Sequence, residues 1–220
     1  MRGFLRTAAS AWLALALASA AAEAQDAKPQ FDAGMIPSPH IIKPDGKVKS
    51  NIFLLSDADG WNDTEEAEAK ALAAKGALVI GIDLPSYIAS LDKDEEDCIY
   101  MISDIESLAQ QVQRSLGSGS YRSPVVAGIG AGGAFVLGML AQSPPATIGQ
   151  AIAIDPDPSI RLSKVLCTPA EKDQTPDGIA YGLTDGALPA PISVYFTKQA
   201  SAQSRQHVQD IQAKHDDIDV

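Results

Sequence analysis

The glycine-rich turn at residues 128–132 lies where this sequence could carry hydrolytic chemistry. Residues 124–127 are apolar and predict a buried strand before the turn, and the residues after it predict a helix. Serine hydrolases present their nucleophile on such a strand–turn–helix unit through the pattern G-x-S-x-G. Gly128 and Gly132 match the outer positions of the pattern, but the central residue is Gly130. Glycine has no side-chain atom that could attack a carbonyl carbon, so we predict an esterase scaffold without its nucleophile.

The other two members of a catalytic triad are also missing where this order of elements would place them. The predicted strand at 191–196 is followed by residues 197–201, which contain no carboxylate. The histidine would follow a last strand beginning at Ile218, where the sequence ends. His207 lies within a predicted helix and His215 at its C-terminal end, where the helix dipole alone favours a histidine. We therefore expect no catalytic residue in this chain.

Residues 128–133 also fit the pattern G-x-G-x-x-G, which binds dinucleotide cofactors in Rossmann-type folds. Asp155 ends the next predicted strand, near the place where a ribose-binding carboxylate belongs. The pattern falls on a later strand rather than on the first strand–helix unit, however. Close packing of a helix against a strand would also require glycines here. A dinucleotide-binding protein is therefore the weaker alternative, and we expect no cofactor.

The loop after the first buried strand, residues 56–62, contains several polar side chains. In hydrolases this loop donates an amide to the oxyanion hole, which stabilises negative charge on the reacting carbonyl oxygen. Asp57, Asp59 and Asn62 could instead bind a cation through oxygen atoms. A turn followed by a helix cap, with Trp61 as a packing anchor, explains the same residues, and we favour it over a metal site.

Polar residues also end two other predicted strands, at Asp83 and Asp155. Ligands of open α/β sheets bind outside the carboxyl ends of the strands, so these residues should share one edge with the glycine turn. The acidic character of that edge would favour a cationic or aminoacyl group. The candidate pocket comprises Ser56, Asp57, Asp59, Trp61, Asp83, Gly128, Gly130 and Asp155.

Strand and helix signals alternate along the chain and predict an α/β-hydrolase-like open parallel sheet of about six strands with helices on both faces. Because the chain stops on a strand, we expect one flank of the sheet to be thinly covered and the sequence to be one domain of a longer protein. Strands are predicted at 51–55, 77–83, 124–127, 151–155, 191–196 and from 218; helices from 63 or 64 to 75, from about 97 to 116, at 134–142 and at 201–214; and a long loop at 156–190.

Residues 1–24 predict a signal peptide. Arg2 and Arg6 form a basic region, an apolar run starts at Ala11, and Ala22-Glu23-Ala24 is a cleavage signal. The apolar run is too short to span a bilayer, which disfavours the alternative of a membrane anchor. We therefore expect an exported protein.

After the signal peptide we predict a polar linker at 25–38 and a single domain at 39–220. The formal net charge of the whole chain is −11 at pH 7. A surface with this charge repels nucleic acid and anionic lipid headgroups, so we expect no nucleic-acid partner.

The two cysteines, Cys98 and Cys167, predict one disulfide, because an even number in an exported chain is typical of a bridge. Two small buried thiols are the alternative. We expect no metal site, since the sequence lacks a C-x-x-C pair and its three histidines lie far apart.

Several segments resemble the AcvB/VirJ family of exported bacterial virulence proteins. Residues 54–61 are similar to the S-G-D-G-G-W signature of that family. The similarity covers roughly residues 50–220 and is greatest to the N-terminal, non-catalytic α/β-hydrolase-like domain of AcvB. The other matching segments are residues 81–87, residues 98–100 with Asp104, the glycine turn and residues 166–170.

The resemblance implies a periplasmic protein linked to virulence, to type IV secretion and to hydrolysis of lysyl-phosphatidylglycerol. In that family the hydrolytic activity belongs to a second domain with a catalytic serine, whereas Gly130 stands at the corresponding position here. Ala131 also differs from the acidic residue expected beside it. The positions of Cys98 and Cys167 match those of the family and imply the bridge.

The function predicted from the sequence is that of a pseudo-hydrolase domain in the periplasm. It would serve as a binding or accessory module for a catalytic partner domain, another periplasmic protein or a secretion pathway, with aminoacylated phospholipid as a possible ligand class. The alternative is part of a serine hydrolase of lysyl-phosphatidylglycerol whose catalytic domain lies outside this sequence.

Overall fold

The computed structural model describes residues 31–117 and 119–220, which form one compact unit. The predicted signal peptide and residues 25–30 of the predicted linker lie outside the described residues. Within the described ranges, no helix combines the length and the apolar character needed to cross a membrane.

Eight strands and five helices make up this unit. The strands are β1 His40–Ile42, β2 Ser50–Leu55, β3 Ala77–Ile82, β4 Val125–Ile129, β5 Gln150–Ile154, β6 Lys172–Thr175, β7 Gly178–Tyr181 and β8 Ile192–Tyr195. The helices are α1 Asp63–Ala74, α2 Leu84–Leu91, α3 Ile102–Ser115, α4 Ala131–Gln142 and α5 Ala202–Gln212.

Six of the strands form one sheet in the order β1-β3-β2-β4-β5-β8. All neighbouring strands are parallel except β1, which is antiparallel to β3. The prediction of a mostly parallel sheet of about six strands is confirmed. The carboxyl ends of β2, β3, β4, β5 and β8 therefore share one edge of the sheet, as the candidate pocket requires.

The two faces of the sheet carry hydrophobic clusters of different size. Phe53 and Leu55 point into the larger cluster, which also contains side chains from α2, α3, α4 and α5. Leu54 points to the other face, where α1 supplies the helical part of a much smaller cluster. Helices thus lie on both faces, as predicted, and the α1 side is the more thinly covered.

The sixth strand of the sheet differs from the prediction. The residues from Ile218 contribute only an isolated parallel bridge, between Ser193 and Asp219. The sixth place is taken by β1, whose short apolar sequence His-Ile-Ile pairs with the free edge of β3. Just before it, Ile36 is 2% exposed and packs into the larger cluster.

Three further elements depart from the predicted boundaries. Helix α2 follows the predicted strand at 77–83 directly and was not predicted; Pro85 lies in its first turn, where the missing N–H leaves no hydrogen bond unmade. Helix α3 begins at Ile102 rather than near Asp97, because Ile99 is extended and forms a bridge with Leu166. The long loop contains the antiparallel pair β6–β7, in which β6 is polar and mostly exposed, whereas β7 is largely apolar and partly buried.

Cys98 and Cys167 form the predicted disulfide, with a Cα–Cα distance of 5.1 Å. Backbone hydrogen bonds flank the bridge, from Ile99 N to Val165 O at 2.9 Å and from Cys167 N to Ile99 O at 2.9 Å. The bridge therefore attaches the long loop to the segment that leads into α3.

Asp104 on α3 lies beneath the N-terminal segment of the described chain. A Cβ atom built on Gly34 would be 2.1 Å from Asp104 Oδ1, so this segment packs directly against the carboxyl group. Burial, together with the negative charges of Asp94 and Asp32, raises the pKa of Asp104 to about 6 despite a backbone hydrogen bond from Met35. The folded state therefore binds a proton that the unfolded chain releases near pH 4.

We expect Asp104→Asn to stabilise the protein at neutral pH. The ionised Asp104 destabilises the fold increasingly between about pH 4 and pH 6 and fully above that range. After allowance for solvent screening, the substitution should raise the free energy of unfolding by about 1 kcal/mol at pH 7. Urea unfolding at pH 4 and pH 7 measures this, with Glu95→Gln as an exposed control. A gain of equal size at both pH values would refute the electrostatic cause.

Candidate functional site

The turn between β4 and α4 has the backbone geometry of a sharp strand-to-helix elbow, and Gly130 at its centre is buried. Gly130 has φ 54° and ψ −119°, a left-handed conformation that side chains rarely adopt. Its N–H donates to Ile154 O at 2.9 Å, which fixes the turn against β5. The position that would present a nucleophile is thus formed, and it carries no side chain.

Close packing explains the two outer glycines of the turn. A Cβ atom on Gly128 would lie 2.4 Å from the backbone of Gly132. A Cβ atom on Gly132 would lie 2.4 Å from the backbone oxygen of Ser56. Protein backbone thus approaches both glycines, which supports helix–strand packing rather than dinucleotide binding as the origin of the pattern.

The carboxylate of Asp57 occupies the space above Gly130. Its Oδ1 accepts hydrogen bonds from Ala58 N at 2.7 Å and from Ala131 N at 2.9 Å. A Cβ atom built on Gly130 would be 2.2 Å from the same oxygen. Asp57 therefore caps the N-terminus of α4 at the place where a nucleophilic side chain would begin.

A second carboxylate, that of Asp157, lies near this turn. Its backbone N–H donates to Gly130 O at 3.0 Å. Burial and the negative charge of Asp57 raise the pKa of Asp157, while Arg161 opposes that shift. Asp157 was not among the candidate site residues predicted from the sequence. Its position two residues after Asp155, behind the same strand, was the available signal.

Asp155 connects the ends of β5 and β8. Its backbone has φ 45°, which is unusual for a residue other than glycine. Its carboxylate accepts hydrogen bonds from Thr197 N at 2.7 Å and from the Thr197 hydroxyl. In a serine hydrolase the triad acid would follow the strand predicted at 191–196, and Thr197 stands directly after it. The hydrogen bonds from Thr197 therefore hold the Asp155 carboxylate, which comes from the loop after β5, at that place.

Asp83 caps α2 and holds the loop that follows β2. Its carboxylate accepts hydrogen bonds from Ser86 N at 3.0 Å and from Trp61 N at 2.7 Å. Burial alone would raise the pKa of Asp83, but these hydrogen bonds outweigh it and hold the pKa below its usual value. Asp83 thus has a structural role, and it lies at the same edge of the sheet as Asp57.

Trp61 packs on the face of the sheet rather than over the glycine turn. Its ring stacks on His40 with a centroid distance of 4.7 Å, and its Nε1 donates to Glu66 at 3.2 Å. A Cβ atom on Gly81 would be 2.2 Å from the ring, so the indole lies directly on β3. Trp61 is thus a packing anchor, which is the interpretation that the sequence favoured over a metal site.

The remaining residues of the predicted pocket differ in exposure. Ser56 is fully buried, where its Oγ accepts from Leu84 N at 3.0 Å and donates to Asp57 O at 3.1 Å. Asp59 lies exposed in the turn before α1. Asn62, considered as a cation ligand, is the N-cap of α1 and accepts from Thr64 N at 2.8 Å.

A small cavity adjoins one of the acidic residues at this edge of the sheet. The cavity beside Asp157, lined also by Ala134 and Leu137, has a volume of about 10 Å³, the space of roughly one water molecule. In the part of the chain that the structure describes, no three His, Cys, Asp or Glu side chains are arranged to hold a metal.

Solved structures place this architecture among known folds, whereas no family model and no curated protein matches the sequence. Poly(aspartic acid) hydrolase-1 from Sphingomonas sp. KT-1 has 18% identity and a TM-score of 0.52, over 82% of this chain and 84% of that one. Esterase PE8 has 8% identity and a TM-score of 0.50, over 82% and 86%. The fold is that of the α/β-hydrolases. Pyrococcus horikoshii acylaminoacyl peptidase also matches, with 12% identity and a TM-score of 0.51, over 82% of this chain and 35% of that one.

The α/β-hydrolase fold gives the contacts of Asp57 a chemical meaning. In such enzymes the oxyanion hole consists of the N–H after the nucleophile and an N–H from the loop that Ala58 occupies here. The corresponding groups of this chain are Ala131 N and Ala58 N, and both donate to Asp57 Oδ1. The Asp57 carboxylate thus binds the two N–H groups that lie at these places of the fold.

Proposed function

We propose that this chain is a pseudo-hydrolase domain that acts as a binding or accessory module of an exported protein. One observation carries the proposal: the Asp57 carboxylate fills the space above Gly130 and accepts hydrogen bonds from both amides of the oxyanion hole. An acyl-transfer site needs a nucleophile and a free pair of donors at that place. In this chain the nucleophile is absent, and both donors already bind the Asp57 carboxylate.

The module would work in the periplasm, beside a catalytic partner domain or within a secretion pathway. The disulfide supports an oxidising compartment, in agreement with the signal peptide predicted from the sequence. The segments resembling the AcvB/VirJ family support a role next to a domain that hydrolyses lysyl-phosphatidylglycerol. The acidic groups Asp57 and Asp157 at the strand edge would suit the cationic headgroup of such a lipid.

We expect no turnover when the purified protein is incubated with p-nitrophenyl acetate, p-nitrophenyl butyrate or vesicles containing lysyl-phosphatidylglycerol. Product release should equal that of buffer alone, measured by absorbance for the esters and by mass spectrometry for the lipid. Ser56→Ala and Ser86→Ala variants control for two hydroxyls that follow β2 and β3. Turnover that persists in both variants would contradict the proposal and favour an enzyme with a different active centre.

A further inference from the structure

A cavity of about 480 Å³ opens at the end of the sheet opposite the glycine turn. It lies where β2 begins and where the chain enters β4, beside the C-terminal end of α3. Because β2 and β4 are parallel, their amino ends meet here, far from the edge that carries Asp57 and Gly130. Residues that matter for its chemistry are Lys43, Lys47, Asn51, Gln113, Ser120 and Arg122.

The charges around this cavity are opposite in sign to the charge of the whole chain. Lys43, Lys47 and Arg122 line it, and no carboxylate among residues 31–117 and 119–220 does. Asp45 belongs to the same loop as the two lysines but does not line the cavity. Three cations at one opening of a chain with a net charge of −11 would create a local field that attracts an anion.

Arg122 is held in position by two neighbouring elements. Its backbone N–H donates to Gln113 Oε1 at 2.9 Å, and its carbonyl accepts from Gln113 Nε2 at 2.9 Å. Its guanidinium donates to Lys49 O at 3.0 Å through Nη1. The guanidinium retains further N–H groups, so a fixed arginine can still donate to an oxyanion.

Asn51 supplies an independent sign of a ligand. Its side chain is on β2, on the same face as Phe53, and the residue is only 3% exposed. Within the described ranges its Oδ1 has no hydrogen-bond partner, although it is buried and the residue lines the cavity. A buried amide oxygen without a donor is costly, so a group that donates a hydrogen bond would be favoured here.

We propose that this cavity binds a small phosphate-containing anion that also carries a hydroxyl donor. Lys43, Lys47 and Arg122 would pair with the phosphate oxygens through charge-assisted hydrogen bonds. The hydroxyl would donate to Asn51 Oδ1. Hydrogen phosphate has both features in one group, and a phosphorylated polyol has them in neighbouring groups. The site is separate from the oxyanion hole, and the proposal does not depend on the absence of hydrolase activity.

Calorimetric titration of the purified protein with inorganic phosphate and with glycerol 3-phosphate tests the site. Both should bind, and sulfate should bind about tenfold more weakly, because at neutral pH it has no hydrogen to donate to Asn51. Co-sedimentation with phosphatidylcholine vesicles containing phosphatidic acid tests the same chemistry on a lipid. Binding of the soluble ester alone identifies a soluble ligand, and additional sedimentation identifies a headgroup as a source.

The double variant Lys43→Gln/Lys47→Gln should weaken phosphate binding by about tenfold or more. Both lysines are exposed, so the variant should melt at the temperature of the parent protein. Lys93→Gln/Lys198→Gln removes the same charge from exposed positions outside the cavity and should bind phosphate normally. Equal weakening in the two double variants would overturn the proposal, as would phosphate and sulfate binding equally or no phosphate binding at millimolar concentration.

Discussion

Replacing Gly130 by alanine should lower the free energy of unfolding by about 3 kcal/mol, and part of this loss should disappear when Asp57 is also replaced by alanine. The new methyl group would lie 2.2 Å from Asp57 Oδ1, and the backbone at Gly130 has φ 54°. Asp57→Ala alone should cost about 1–2 kcal/mol, because it removes the cap of α4. The two losses should therefore not add, and the coupling free energy should be about 1 kcal/mol or more.

Urea unfolding of the parent protein, the two single variants and the double variant measures this coupling. Gly117→Ala is the matched control, since Gly117 also has a positive φ of 71° but no neighbouring atom within 4 Å of an added Cβ. That variant should report the backbone strain alone, about 1 kcal/mol. Strict additivity between Gly130→Ala and Asp57→Ala would show that the carboxylate does not fill the space above the elbow.

Removing the disulfide should have an effect of similar or larger size. Cys98 and Cys167 are separated by 69 positions, and the entropy of closing a loop of this length corresponds to about 4 kcal/mol. The double variant Cys98→Ser/Cys167→Ser should therefore melt at a markedly lower temperature than the parent. The loss of stability should be greatest around Ile99 and Leu166, which form a β-bridge beside the disulfide.

Thermal unfolding with and without a reductant tests the bridge. Reduction should lower the melting temperature of the parent protein and leave that of the double serine variant unchanged. Titration of the unfolded, unreduced parent with a thiol reagent should find no free thiol. Two reactive thiols before reduction, or equal sensitivity of both proteins to the reductant, would contradict the disulfide.

The parallel part of the sheet could be predicted because its strands are continuous apolar runs. β3, for example, is buried at all six positions, and its continuous apolar sequence Ala-Leu-Val-Ile-Gly-Ile is typical of a strand covered on both faces. The elements that were missed lack such a signal. Helix α2 has a proline as its second residue, which resembles the end of a strand, and β6 reads Lys-Asp-Gln-Thr, with three of its four residues exposed. Pairing with a neighbouring segment, rather than local preference, determines β6.

Residues of the candidate site could be predicted from the sequence, but the contacts between them could not. The missing nucleophile at Gly130 and the importance of the loop at Asp57 follow from the order of strands, turns and helices. The hydrogen bond between Asp57 and Ala131 joins residues 74 positions apart, and no local pattern reports it. Likewise, the pairing of Asp155 with Thr197 depends on β5 and β8 being neighbours in the sheet.

Treatment with a fluorophosphonate probe, followed by intact-mass and peptide mass spectrometry, shows directly whether the glycine turn lies beside an activated nucleophile. The probe phosphonylates a hydroxyl, with loss of fluoride, where an activated nucleophile lies beside free oxyanion-hole donors. We predict that the mass of the protein stays unchanged under conditions that fully label an active serine esterase. A stoichiometric adduct on any residue of the loops at 56–62 or 128–133 would contradict the conclusion that Asp57 closes a site without a nucleophile.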